Sequence, residues 1–323
     1  MIEGKADIEL CEGVFYNPEM KLSRDISVAI LREVEEGRWL DAFTATGIRG
    51  IRYNLEAGKE VDFLDRSKKA ISCCKKNLKR NNIEGNVIEG SFDDYSNGIY
   101  DGIELDPFGS PAQHIGHAID LVGEGVLSVT ATDSLMLCGI QKEALKKYYG
   151  AIGLHNFFCH ETAVRILMKK VADEAMKRDR GIMPICSFYY RHQFKTIVRV
   201  GKRYYEKSKK NVGMAVWEGR DYGPIWKGSL HDKKIIKKAT SQDKRASKYL
   251  SLFEEELDQL HSFYSVGVLS SKLKVRPPKL SDIIEGLRGR GYNATRTHFM
   301  ANAFKSNADE EAIEELFKEL SLK

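Results

Sequence analysis

Three short stretches of the 323-residue sequence carry side chains that can do chemistry together. The first is Asp41-Ala-Phe-Thr-Ala-Thr-Gly-Ile-Arg-Gly50, which follows an apolar run and opens a helical one. Small residues there let the backbone pass close to a ligand, and the start of the helix offers free N–H groups. The second is Asp65, 18 residues past Gly47, at the end of the next apolar run. A carboxylate in that place can accept both hydroxyl protons of a ribose, whether of a nucleotide or of adenosylmethionine. The third is Glu104-Leu-Asp-Pro-Phe-Gly-Ser-Pro111. It sets a carboxylate (Asp106), a carbonyl freed by a turn (Pro107) and an aromatic face (Phe108) side by side. Each stretch also has a plainer reading. Gly47 can serve only helix–strand packing, Asp65 can complement the dipole of the helix after it, and the Pro/Gly turn can simply end a strand.

The first stretch resembles the D/E-x-x-x-G-x-G loop of class I methyltransferases, with Ala45 where the first glycine stands. It matches the dinucleotide fingerprint G-x-G-x-x-G only weakly. The third resembles the [DNS]-P-P-[YFW] motif of amino-methyltransferases, with the second proline absent. The residue types suit that chemistry. An exocyclic amine on guanine is a poor nucleophile, because its lone pair is delocalised into the ring. Two acceptors holding its hydrogens direct the lone pair at a sulfonium methyl, which is catalysis by positioning and electrostatics. Asp106 can take the proton as the new bond forms. An amine held in a duplex cannot reach such a pocket, so the base must be flipped out or already unpaired.

These stretches need a scaffold, and the hydrophobic pattern supplies one. Strands are expected at Arg38–Phe43, Glu60–Leu64, Val87–Glu89, Ile99–Leu105 and Gly125–Ala131. Helices are expected at Ile48–Ala57, Ser67–Asn81 with Ser67 as N-cap, Ala112–Val122 and Gln141–Tyr149. Alternation of this kind implies βαβ units and a parallel sheet. After a long helix, His160–Arg178, two β-type runs, Ile185–Tyr190 and Phe194–Val200, are separated by only three residues. That gap permits a hairpin and forbids a parallel crossover. The expected fold is therefore α/β: a Rossmann-like, mostly parallel sheet closed by an antiparallel hairpin, as in class I methyltransferases. Nicotinamide-dependent dehydrogenases usually lack the hairpin. A methyltransferase domain is expected over residues 1–232. A smaller C-terminal domain, winged-helix-like or α/β, is expected over 233–323.

Composition sets the remaining bounds. Apolar residues make up 42% and charged residues 30%, an ordinary globular balance. No window approaches the uninterrupted apolar length of a membrane helix, and acidic Met1–Leu10 does not read as a signal peptide. A soluble, cytoplasmic protein without a membrane partner is expected. The six cysteines form no C-x-x-C pair, so reduced thiols and no zinc from cysteine pairs are expected. Net charge is +5, but Lys195–Lys248 alone carries 16 Lys/Arg against 5 Asp/Glu. Tyr204, Tyr205, Trp217, Tyr222 and Trp226 are interleaved with it. Cations neutralise phosphates and aromatic faces accept unstacked bases. The alternative is a solvated basic face with the aromatics in the core below.

Taken together, the chain resembles one family over nearly its whole length: the tRNA (guanine-26-N2)-dimethyltransferases of archaea and eukaryotes. The resemblance rests on Glu12-Gly-Val-Phe-Tyr-Asn-Pro18, Ser23-Arg-Asp-Ile-Ser27, Ala45-Thr-Gly-Ile-Arg-Gly-Ile-Arg-Tyr53 and Leu105-Asp-Pro-Phe-Gly-Ser-Pro111. It extends through Val129-Thr-Ala-Thr-Asp133, Leu137-Cys-Gly139, Cys159-His-Glu161, Gly223-Pro-Ile-Trp226 and Thr295-Arg-Thr-His-Phe299. It implies S-adenosyl-L-methionine as cofactor, tRNA as partner, and dimethylation of the guanine N2 in two transfers. It also implies that Arg24 and Arg49 contact the carboxylate end of the cofactor and that Asp65 binds its ribose. Ser91 and Phe92 would lie near the adenine, with Gly47 in the cofactor loop. Asp106, Pro107 and Phe108 would form the target site, and the C-terminal part would help hold tRNA.

Two departures from the family pattern stand out. Ser91 replaces the usual aspartate, which moves the adenine contact to Asp93 or to backbone. Lys209–Arg220 lacks the zinc-binding cysteine pairs of many relatives, so packing around Trp217 and Trp226 must replace them. Cys159-His160-Glu161 suggests a metal only if partners exist, and helix packing is the plainer role. No metal and a monomer are therefore expected. Asp133 either lines the pocket or caps a turn. Arg296 and His298 either face RNA or serve core and surface. The competing functions are a catalytically silent tRNA-binding module and an amino-methyltransferase acting on DNA adenine.

Overall fold

The computed structural model describes residues 1–35 and 37–322; Glu36 and Lys323, the last residue of the expected C-terminal domain, lie outside the described residues. Seven strands form the central sheet: β1 (Arg38–Asp41), β2 (Glu60–Asp65), β3 (Val87–Glu89), β4 (Gly102–Leu105), β5 (Val126–Ala131), β6 (Gly181–Tyr190) and β7 (Gln193–Gly201). Their order across the sheet is β3-β2-β1-β4-β5-β7-β6. The first five are mutually parallel, and β7 runs antiparallel to both β5 and β6. This is the parallel sheet with a terminal hairpin that the pattern implied. The hairpin is tight, and Arg191 takes a left-handed φ of 56° in its turn.

Strand β5, VLSVTA, is buried at every position, as a parallel strand covered on both faces must be. Helices α1 (Lys21–Leu31), α2 (Ile48–Ala57) and α3 (Lys68–Arg80) flank the cofactor side, with α2 and α3 entered directly from β1 and β2. Helix α2 stops at Gly58, whose φ of 67° supplies the left-handed cap that glycine adopts without steric cost. Ser67 caps α3 by accepting from the Ala70 N–H at 3.4 Å. Next in order are α4 (Ile115–Val122), α5 (Ser134–Leu137), α6 (Lys142–Tyr149) and α7 (Cys159–Met176), the last almost wholly buried.

Beyond the sheet come α8 (Tyr205–Asn211) and a second hairpin, β8 (Val212–Trp217) with β9 (Arg220–Trp226). The charged stretch that follows, Lys233–His261, holds two helices, α9 (Lys233–Lys238) and α10 (Lys244–Glu255). Asp232 and Asp243 cap them separately, each accepting from backbone N–H groups two and three residues on. Both helices pack apolar residues such as Ile236, Leu250 and Phe253 into the core that holds Ile26 and Ile30 of α1. The final elements are β10 (Tyr264–Ser265), α11 (Val266–Leu273), α12 (Leu280–Gly289), β11 (Ala294–Arg296), β12 (Ala303–Ser306) and α13 (Glu310–Ser321). Their antiparallel sheet has the order β10-β12-β11, around a separate apolar cluster that includes Ile283, Leu287, Phe304 and Phe317. Strand, two helices, then two strands with the first strand beside the last is a winged-helix arrangement. It matches the first of the two expected forms.

The expectation of six reduced thiols is corrected: Cys11 and Cys73 are joined by a disulfide. They are 62 residues apart, so no local spacing marks the pair. Side chains of α3 bring them together. Asn77 and Asn81 each accept a backbone N–H and donate to a backbone C=O of segment 7–9. The N-terminal segment is thus laid along α3 as if along another strand.

Candidate active site

Every parallel strand points its C-terminal end at one edge of the sheet, and the loop after β1 is laced across that edge. The Ala42 N–H donates to the Glu104 carbonyl at 3.0 Å and the Thr44 N–H to the Leu64 carbonyl at 3.1 Å. These two bonds tie the loop to β4 and β2. Asp41 closes it from below, its carboxylate accepting from Thr44 Oγ1 and from the Gly50 N–H, both at 3.1 Å. Burial first, and the nearby Glu104 charge second, push Asp41 up to about 7. Asn77 adds a third tie by donating to the Thr46 carbonyl at 2.8 Å.

Gly47 begins α2 with a φ of 82°, and a Cβ there would sit 2.9 Å from Cys74 Sγ. Packing and backbone conformation both require glycine, so the packing role and the loop role are one. Ala45, in the place of the first motif glycine, is held at a φ of 47°. That left-handed conformation costs an alanine energy. Asp65 helps hold it, accepting the Ala45 N–H at 3.0 Å through one oxygen and the Ser67 N–H at 2.9 Å through the other. Each carboxylate oxygen keeps a further lone pair. Asp65 therefore orders the loop and the start of α3 and still has acceptor capacity toward the cleft.

Arg49, on the first turn of α2, joins this loop to the third stretch. Its Nη2 contacts Asp106 at 2.6 Å and its Nε lies 3.4 Å from Glu104. Glu104 is fully buried and also meets Tyr53 Oη at 2.8 Å and the Lys195 ammonium. Burial opposes its ionisation, but Lys195 and Arg49 outweigh burial and hold it below the ordinary carboxylate range. Lys195, counted from sequence with the basic surface stretch, is thus a core residue serving the site. Arg49 Nη1 is buried and has no hydrogen-bond partner. A donor left so is expensive unless a ligand takes it. Together with the open acceptors of Asp65, it makes the loop fit a ribose-bearing cofactor that carries a carboxylate, such as adenosylmethionine.

Of the target-site residues, Asp106 keeps 23% of its side chain exposed and Phe108 is 77% exposed. The loop is braced from the residue just past β5: the Gly109 N–H donates to Thr132 Oγ1 at 3.0 Å, and the Thr132 N–H to the Gly109 carbonyl at 3.0 Å. A second brace runs from Ser110 Oγ to Tyr149 Oη at 2.9 Å and on to Asp133 at 2.9 Å. Burial raises the Asp133 pKa, with Tyr149 and Ser110 opposing it. Asp133 thus acts through Tyr149 on this loop, in addition to starting the turn of α5.

At the far end of the cleft Phe92 is buried against Phe43 and His117, with ring centroids 5.6 and 5.0 Å away. Ser91 is half-buried and makes no capping bond to the turn it precedes. Asp93 is engaged by His114 at 2.6 Å. The structure does not join Arg24 to these contacts. Its guanidinium grips Glu3 at 2.7 and 2.6 Å and reaches the Asn17 carbonyl at 3.1 Å. Burial would raise Glu3, but Arg24, Tyr16 and Arg52 bring it down to about 2.

Sequence reasoning passed over Phe43, Phe15, Asn77 and Tyr149. Phe43 lies inside the quoted loop and Phe15 inside the Glu12–Pro18 segment, where it meets Phe108 edge-on at 4.7 Å. Neither Asn77 nor Tyr149 leaves a sequence signal, since each acts across the fold. The basic stretch also divides. Tyr222 and Trp226 are buried, and Trp217 packs on Phe157 and Phe158, so these aromatics serve the core. The cations Lys202, Arg203, Lys207, Lys209 and Lys210 remain exposed. His298 is likewise buried, paired with Glu256 at 2.6 Å, whereas Arg296 is exposed.

The family model described as N2,N2-dimethylguanosine tRNA methyltransferase matches residues 2–218 and 205–318. A tRNA (guanine(26)-N(2))-dimethyltransferase of Pyrococcus horikoshii is 33% identical over 98% of this chain and 97% of its own length. One from Archaeoglobus fulgidus is 32% identical over 98% of this chain and 97% of its own. The structure of Trm1 from Pyrococcus horikoshii with S-adenosyl-L-methionine superposes with a TM-score of 0.90 at 32% identity, covering 98% of both chains. A family match spanning the chain, full-length relatives and the same class I sheet leave one assignment: the chain belongs to the N2,N2-dimethylguanosine tRNA methyltransferase family.

Proposed function

We propose that this chain transfers methyl groups from S-adenosyl-L-methionine to the exocyclic N2 amine of guanine 26 in tRNA, giving N2-methylguanosine and then N2,N2-dimethylguanosine. The observation that carries this reading is Arg49, whose 2.6 Å contact with Asp106 fastens the target turn to the cofactor loop. The same loop is fastened to Asp65 through Ala45. The three stretches read from sequence therefore meet in one cleft. The name and substrate of the full-length relatives support the choice of base and position.

When bound, the cofactor supplies an electrophilic methyl group on a sulfonium. Asp65 accepts the ribose hydroxyl protons, and Phe92 with Phe43 walls the adenine end, where Ser91 lies. Gly47 lets the backbone come close. Arg49 Nη1, buried and unpartnered, receives the cofactor carboxylate. Arg24 supports this end indirectly, through the Glu3 and Asn17 contacts that fix the N-terminal segment.

At the target end Asp106 gives one oxygen to Arg49 and keeps the other for the guanine amine. The Pro107 carbonyl is the second acceptor, and exposed Phe108 stacks on the flipped base. Asp106 would take up the proton as the N–C bond forms and the methyl–sulfur bond breaks, leaving a neutral thioether. The monomethylated amine still carries one hydrogen, so a single acceptor orients the second transfer. The first 232 residues do the chemistry. Residues 233–323, with the exposed cations before them, hold tRNA. The protein acts as a monomer in the cytoplasm.

Nucleoside mass spectrometry of an unmodified tRNA transcript, incubated with protein and cofactor, tests the whole reading. Dimethylguanosine is expected with guanine at position 26 and not with adenine there. Asp106→Ala should abolish the product while cofactor still binds in calorimetry. Full activity of that variant would refute the role of Asp106. A cofactor-binding protein that yields no methylated guanosine would leave the silent binding module.

A further inference from the structure

Cys138 follows α5, and Cys159 and His160 open α7. Sequence spacing gave Cys159-His160 no third ligand. The fold supplies one from 21 residues upstream. The two sulfurs and one imidazole nitrogen all lie within 4.8 Å of one another. We propose that Cys138, Cys159 and His160 form a binding site for a soft divalent ion, zinc by preference.

The donor chemistry selects the ion. Two thiolates and an imidazole are the ligands zinc prefers, with bonds of about 2.3 Å to sulfur and about 2.0 Å to nitrogen. A tetrahedral ion with such bonds needs its ligands about 3.5–3.8 Å apart, so the three side chains would draw together by up to about 1 Å from the span observed. Both thiols are shielded from solvent, at 6% and 7% exposure, while His160 is half-buried and leaves a way in. The imidazole is already oriented: it lies flat on the Tyr189 ring, centroids 4.0 Å apart and planes 9° from parallel. Three protein ligands leave the fourth position of zinc open to water.

The other converging set, His231 with Glu256 and His298, is poorer despite its unpartnered His231 nitrogens. The buried Lys305 ammonium lies 3.3 Å from Glu256, and the carboxylate is already used by His298 and Thr297. A dication there would meet a fixed positive charge.

The proposed site has a mechanical consequence. Ala131, the end of β5, pairs with Phe194, whose ring stacks on Tyr189. The ion would sit at the same sheet edge as Asp106, one strand away. It would pin the segment after β5 to the start of α7. That segment carries Asp133, which braces the target turn through Tyr149.

The test needs neither tRNA nor methyl transfer. Full-length protein, reduced with a phosphine, is equilibrated with zinc, desalted and assayed by plasma mass spectrometry. A parallel sample is loaded with cobalt and examined for thiolate-to-metal charge-transfer absorption. About one ion per chain and a thiolate band are expected. Cys138→Ser and Cys159→Ser should lose both. His160→Asn, which spares the thiols, should weaken zinc affinity at least about tenfold. Cys186→Ser and Cys11→Ser should change nothing. Wild-type protein that retains no more zinc than Cys138→Ser, or cobalt that gives no thiolate band, would overturn the site. So would loss of the ion in Cys11→Ser, because the Cys11–Cys73 pair would then be the ligand.

Discussion

Arg49 shows how one side chain sets the character of a cleft. It is buried, yet Glu104 and Asp106 hold its pKa well above the ordinary value against the pull of burial, so it stays charged. Its planar fork addresses two carboxylates and keeps a third direction free. A lysine offers one point charge on a flexible stem and cannot do all three. Arg49→Lys should therefore lower kcat/KM by about 100-fold, as loss of one preorganised donor commonly does. It should also weaken adenosylmethionine binding, measured by calorimetry. Unchanged values for both would show that Arg49 is only a structural pin. Asp41 makes a second prediction at this scale. Its pKa is about 7 in the fold, against an ordinary 3.8. Below about pH 4 both folded and unfolded chains hold the proton. Between about pH 4 and 7 the unfolded chain releases it while the folded chain keeps it, so stability falls as pH rises across this window and levels above it. Denaturant unfolding should show a decline of a few kcal/mol there, flattened in Asp41→Asn. Glu3, brought down to about 2, acts the other way. Its contribution is present above about pH 4.5 and is lost as pH falls toward 2.

Elements explain why some of this was legible in sequence and some was not. The loops that carry Gly47, Asp65 and Asp106 follow parallel strands, and parallel strands aim their C-terminal ends at one edge. Alternating apolar runs therefore sufficed to place those three stretches together. Helix limits were legible where a local residue sets them, as Gly58 does for α2 and Ser67 for α3. Tertiary contacts hide the rest. The hairpin of β8 and β9 lies in a basic stretch whose alternation is broken by a register shift between Gly213 and Ala215. The Cys11–Cys73 link depends on asparagines of α3 that no pattern singles out. The ring partners of Phe92 likewise come from loops distant in sequence. Ala45 gives a prediction that belongs to the loop. Relaxing its φ of 47° by Ala45→Gly should stabilise the protein by about 1 kcal/mol in denaturant unfolding, with activity kept. Destabilisation would mean that the alanine methyl packs usefully. Tyr149→Phe tests the brace between α6 and the target turn. It leaves Asp133 half-buried without its hydroxyl partner, at a cost of about 1–3 kcal/mol. It should lower kcat more than it raises the KM for adenosylmethionine, because the brace reaches Ser110 and not the cofactor loop.

Charge is arranged on the scale of the whole molecule. Outside Lys195–Lys248 the chain carries 35 Lys/Arg against 41 Asp/Glu, so the surplus of positive charge belongs to one stretch. The fold sorts that stretch further. Lys195 goes inward to Glu104, and Arg199 pairs with Glu35. The lysines on and around α8 stay outside, while Tyr222 and Trp226 go to the core. A surface rich in cations, with only the half-buried Tyr204 and Tyr205 among them, should grip phosphate more than it reads bases. Such binding is driven by release of counterions, with log K falling by about 0.9 per phosphate contact for each tenfold rise in salt on a duplex. Replacing Lys207, Lys209 and Lys210 together by glutamine should reduce that slope by about 2–3 if all three contact phosphate. It should leave adenosylmethionine affinity unchanged, since none of the three touches Arg49, Asp65 or Asp106. The triple variant should therefore bind tRNA more weakly at low salt, and its affinity should fall less steeply than the wild type's as salt rises. Filter binding of tRNA across a salt series reads the slope directly. An unaltered slope would remove α8 from the docking face and shift the burden to α9, α10 and the winged-helix unit, where Lys234, Lys237, Lys238 and Arg245 are also exposed.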